Sequence, residues 1–165
     1  MAYKELILES IQREIAVVKH LHGKIPAGME HYRPTFGQRS ILELMRYLAY
    51  TGASGVAYAV NGNGDAVKPL RDAAQNLTLA EIPAALDRQA TMVKELFAGI
   101  NEADALKKEV TVPWGKTATT AQWLLDLPLK WLTGYKMQLF LYLKQAGRAE
   151  LATANLWRGE EPKPK

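Results

Sequence analysis

Apolar residues recur every three or four positions in four separate stretches of this chain, and only one short segment alternates apolar with polar residues. That periodicity lets a helix bury one stripe and denies a sheet its two-residue pleat. From Lys4 to His22 the stripe is Ile7, Ile11, Ile15, Val18 and Leu21, with Lys4, Glu5, Gln12, Arg13 and Lys19 between. Gly23 stops this helix, and Pro26, Gly28, Pro34 and Gly37 fill a stretch where none can propagate. Ser40 then precedes an apolar run and has Glu43 three residues on, the spacing at which hydroxyl and carboxylate satisfy each other's backbone amides. The second helix starts there, buries Ile41, Leu44, Met45, Leu48 and Ala49, weakens into Ala- and Gly-rich sequence, and ends at Asn61-Gly62-Asn63-Gly64-Asp65. Those five residues share polar spacing with a calcium loop, but no Glu stands at the twelfth position, so they read as a turn.

The segment from Ala66 to Leu77 has no clear period and contains Pro69, which makes it a long connection with room for one short helical turn. Thr78 and Glu81 offer a second capping box, and Ile82, Leu86, Val93, Leu96, Phe97 and Ile100 carry a third helix whose start Pro83 shifts later. Val110, Val112 and Trp114, set among Pro113 and Gly115, predict an extended strap rather than a paired strand, covering one end of the fold. The last helix begins at Thr119 or Thr120 and runs to about Gln145, with Gly147 as its stop. Trp123, Leu124, Leu127, Trp131, Leu132, Tyr135, Leu139, Phe140, Tyr142 and Leu143 cover most of its circumference, so it is expected to be the most buried. Pro128 predicts a kink, and Gly134 a close backbone approach. The expected class is all-α: a four-helix bundle with a long connection between helices two and three and an extended strap before helix four.

With 165 residues, of which 48% are hydrophobic, the chain is expected to fold as one domain over 1–158, followed by a disordered tail over 159–165. At this size folding buries roughly 70% of the unfolded surface. No cysteine is present, which excludes disulfides, thiolate metal sites and cysteine nucleophiles within the chain. No signal peptide and no long uncharged apolar run is found, so a cytoplasmic protein without membrane contact is expected. The 21 basic and 17 acidic side chains give a net charge of +4 but are interspersed, unlike the basic face of a nucleic-acid binder. No nucleic-acid partner is expected.

The stretch Ile25-Pro26, Tyr32-Arg33-Pro34-Thr35, Gly37-Gln38-Arg39-Ser40-Ile41 and Glu43 to Ala49 resembles the DinB/YfiT-like metalloenzyme superfamily. There a loop of the form P…RP…G.RS leads into a second helix ending HLA, and the last helix carries HxxxHRGQ…YL…G. The matching residues of the last helix are Trp131 to Leu139, then Tyr142-Leu143 and Gly147, in register through Gln138. The resemblance implies a divalent metal held by one histidine of the second helix and two of the fourth, with open positions for water or substrate. It also implies a homodimer.

Carried over, the three ligand positions are Tyr47, Trp131 and Tyr135, and none is a histidine. An indole offers only an N–H, and a phenol must lose a proton with pKa near 10 to ligate well. The remaining histidines offer no substitute: His20 and His22 point about 200° apart on one helix, and His31 lies in the following loop. No metal, no cofactor and no catalytic residue is therefore expected. Two readings stand side by side. Either the rings fill the volume an ion would take, or they line a cleft for a small organic ligand, with Tyr47, Trp131, Tyr135 and Gln138 as its residues. Tyr135-Lys136 has the wrong spacing for the Tyr-x-x-x-Lys pair of short-chain dehydrogenases, and no glycine-rich nucleotide loop follows a strand. The expected role is a bundle of uncharacterised function acting by small-molecule binding or self-association. The alternative is a metal-dependent transferase or hydrolase whose ligands lie elsewhere.

Overall fold

A computed structural model describes residues 3–163. The first helix, α1 (Tyr3–His22), buries the expected stripe together with Val17. At Ser40 the predicted capping box forms: the Glu43 amide donates to the Ser40 hydroxyl at 3.2 Å, and the Ser40 amide to the Glu43 carboxylate at 2.7 Å. There α2 (Ile41–Asn61) begins, and Gly62 closes it in the left-handed conformation. A 3₁₀ turn (Asp65–Val67) and α3 (Lys68–Ala74) occupy the long connection, which is thus more helical than the single turn expected, because Pro69 sits in the first turn where its missing amide costs nothing. The Thr78–Glu81 box caps a 3₁₀ turn (Leu79–Glu81) that runs straight into α4 (Ile82–Ala98), with Pro83 again in a first turn.

The strap before the last helix is extended, but its arms pair instead of running alone. After the short α5 (Glu102–Ala105), β1 (Glu109–Thr111) and β2 (Thr117–Thr119) form an antiparallel hairpin with Val110 opposite Ala118. The hairpin is tied to the next helix by the Trp123 indole N–H, which donates to the Val110 carbonyl at 2.8 Å. That helix is one continuous run: α6 (Thr120–Leu124), a π turn (Leu125–Leu129) and α7 (Lys130–Gln145). Pro128 lies inside the π turn, whose wider ring makes room for a residue that cannot donate and would clash in an α-helix. Gly147 follows at φ 106°. Beyond it the chain adds α8 (Thr153–Trp157), too short to have shown a period, whose Ala154, Asn155 and Leu156 are buried. From there Glu161 returns to α1 and pairs with Lys24. Of the tail read from 159–165, residues 164 and 165 lie outside the described residues.

The long elements α1, α2, α4 and α6–α7 surround one core, an all-α bundle. Its most enclosed member is α2 rather than the last helix. Every residue from Thr51 to Ala57 is buried, whereas α7 exposes Gly134 and Leu141. Small side chains make this possible: a Cβ on Gly55 would stand 2.5 Å from the Pro128 nitrogen, so the π turn seats directly on the α2 backbone. Gly134, expected to admit a close backbone, faces open space instead. Across the core, the fully buried Gln89 engages both backbone groups of one α2 pair, accepting from the Gly52 amide at 2.8 Å and donating to the Leu48 carbonyl at 2.9 Å. No described helix is long and apolar enough to cross a membrane.

Candidate functional site

One face of α2 looks across to α7, and the aromatic residues are sorted along it into two groups. At the N-terminal end of α2, Tyr47 meets Tyr135 edge to face with ring centroids 4.7 Å apart, and Tyr50 meets Tyr47 at 5.4 Å. The Arg39 guanidinium, from the residue before the cap, lies 4.4 Å over the Tyr47 ring and 5.7 Å from the Tyr135 centroid. Further along, Trp131 packs on Tyr58 and on Trp114 of the hairpin turn, each at 6.2 Å. The structure therefore brings Tyr47 and Tyr135 together, and it gives Trp131 to a second cluster one turn away. Gln138 belongs to neither. It donates to the Tyr142 hydroxyl at 2.5 Å and lines a groove of about 380 Å³ between α7 and the loop residues Pro34 and Gln38.

A cleft of about 240 Å³ opens beside Tyr47, walled by Arg39, Glu43, Arg46, Tyr50 and the end of α3. Sequence reasoning missed Tyr50 as part of this wall, although its place three residues after Tyr47 puts both on one face of a helix. Arg39 was visible within the loop motif but carried no assigned role. The position of Trp114 could not be read at all, because only the folded hairpin returns it to α2.

Burial pushes the Tyr47 phenol above its ordinary value of 10.0, with Tyr135 and Tyr50 adding to the rise and the neighbouring buried Thr51 hydroxyl opposing it. Tyr50 is raised by burial as well, against the pull of Arg39 and Arg71. Both phenols stay protonated at neutral pH, so each keeps an O–H that can donate a hydrogen bond. These residues do not fit a divalent metal. Tyr47 would have to ionise against the shift that burial imposes, its ring is in contact with Tyr135, and the Trp131 indole has no lone pair to give. The histidines lie elsewhere: His22 Nε2 is 2.7 Å from the Leu79 carbonyl oxygen, His20 Nε2 is 3.2 Å from the Asn155 amide nitrogen, and His31 is exposed in the loop before α2. Among the described residues, no three His, Asp or Glu side chains gather at one point.

The backbone path can be compared with solved structures. A protein of the DinB family from Exiguobacterium sibiricum superposes with a TM-score of 0.70 over 93% of this chain and 97% of that one, at 19% identity. This chain has the DinB-like fold. The DinB-like protein YjoA of Bacillus subtilis agrees, with a TM-score of 0.67 over 89% of this chain and 95% of its own, also at 19% identity. No family model matches the sequence, and no curated protein matches it either. The DinB-like architecture accounts for the facing of α2 against α7, which is where the resemblance places the ligand positions.

Proposed function

We propose that this chain is a DinB-like bundle in which aromatic side chains replace the family's metal ligands, and that it works by binding a small organic molecule, as a homodimer, rather than by metal-dependent chemistry. The observation that carries the reading is the double position of Tyr47. Its ring packs on Tyr135 at the place the resemblance gives to a metal, and it also walls the cleft beside Tyr50. That cleft lies just below the roughly 300–1,000 Å³ of common ligand sites, which suits a molecule of modest size. Two aromatic walls supply apolar contact, and two protonated phenols supply orientation. The pairing of chains rests on the resemblance.

The test begins with protein prepared without a histidine tag, exposed to zinc, nickel and manganese and then dialysed. Elemental analysis should find well under one equivalent of metal. Pools of small metabolites should include one that raises the melting temperature, and Tyr47→Ala, shown to be folded by circular dichroism, should lose the rise. A full equivalent of retained metal would defeat the non-metallated reading, and if no pool raises the melting temperature the rings serve only to fill volume. Sedimentation equilibrium on the same samples should return twice the chain mass; a single-chain mass removes the homodimer.

A further inference from the structure

Arg39 is a guanidinium without an acid. Among the described residues no carboxylate lies within ion-pairing distance of it, and its contacts are the faces of Tyr47 and Tyr135. Stacking on a ring occupies the plane of a guanidinium and leaves its N–H edge free, the edge that grips a carboxylate through two parallel hydrogen bonds. Arg46 stands across the same cleft, fixed by the bond from its Nε to the Leu77 carbonyl at 2.8 Å, and its terminal nitrogens are not consumed by that bond. The one carboxylate in the wall, Glu43, is already held by the Ser40 amide at 2.7 Å and by Arg33 at 3.2 Å.

We propose that the cleft walled by Arg39, Arg46, Tyr47 and Tyr50 binds a small monoanion on an apolar body, an aromatic or short aliphatic carboxylate. The assignment rests on the small-molecule reading and gives that molecule its charge. Glu43 is paired with Arg33, so Arg39 and Arg46 are the charges this wall offers a ligand, and their flat forks match the planar two-oxygen edge of a carboxylate. The Tyr47 and Tyr50 rings take the apolar part, and the Arg39 fork, already laid against Tyr47, loses little freedom on binding.

Amide chemical-shift titration of the whole chain with benzoate, benzamide and phenyl phosphate tests this. Benzoate should saturate, shifting residues around Tyr47 and Tyr50, and should bind at least tenfold tighter than neutral benzamide. Arg39→Gln removes an exposed side chain that makes no hydrogen bond, so the fold should persist while benzoate affinity falls about tenfold, the size expected for one charge-assisted contact. Equal binding of benzoate and benzamide, or an unchanged affinity in Arg39→Gln, overturns the charge assignment and leaves the small-molecule reading intact. Tighter binding of phenyl phosphate overturns the carboxylate. Saturation by none of the three overturns the carboxylate assignment, while the small-molecule reading is decided by the metabolite pools.

Discussion

A lysine with no exposed surface is the least expected residue of this protein. Lys136 reaches from α7 into the core, its Nζ 2.7 Å from Glu14 on α1 and 4.5 Å over the Trp157 ring of α8. Removing one member of such a pair leaves the other charge poorly solvated, whereas replacing both by apolar groups relieves both desolvation costs. Lys136→Met should therefore cost about 3–5 kcal/mol in denaturant unfolding, and adding Glu14→Leu should recover most of it. A double variant as unstable as the single would show that the pair does not behave as a unit. In the sequence Lys136 reads as one more polar residue beside Tyr135, because spacing along one helix carries no information about an acid on another. The aromatic positions show the same limit. Tyr47 and Tyr135 were assigned to one site and do meet, but Trp131, on the same α7 face, was drawn away by Tyr58 and Trp114.

Whether an element could be read depended on how local its cause is. Both capping boxes are satisfied within four residues, and both formed where the sequence placed them. The break in the α-helical ladder at Pro128 has a local cause as well, the missing amide, but its form as a π turn depends on the neighbour that receives it. That neighbour is Gly55, and the role of close-packing glycine, assigned from sequence to Gly134, belongs there. The two glycines should respond with opposite signs. Gly55→Ala forces a methyl against the Pro128 backbone and should destabilise by roughly 1–3 kcal/mol or more, several degrees in melting temperature at this size. Gly134→Ala meets nothing and should stabilise by up to about 1 kcal/mol through helix propensity. Thermal unfolding of the two variants checks both, and a Gly55→Ala protein as stable as the parent would contradict the close seat of the π turn on α2. The strap is the intermediate case: alternation gave its extended backbone, but pairing needed a second arm that has little alternation of its own.

Taken whole, the molecule has the DinB-like fold, and Tyr47, Trp131 and Tyr135 stand at the positions the resemblance gives to ligands. The frame can be tested through them. Tyr47→His, Trp131→His and Tyr135→His together should bind about one equivalent of zinc, since one α2 position then faces an i, i+4 pair on α7. Losing three rings costs packing, so the variant is first shown to be folded; a folded variant that takes up no zinc would count against the shared register of α2 and α7. By itself the sequence determined the helical class, the caps, the order of the long elements and the absence of imidazole from three positions, because each follows from periodicity or from contacts within a few residues. Only the tertiary structure decided that α2 is the enclosed helix, that Lys136 finds Glu14, and that Arg39 lies over Tyr47 beside a cleft. Those outcomes depend on which surfaces meet across the core, and that is settled by shape and charge complementarity between segments far apart in the chain.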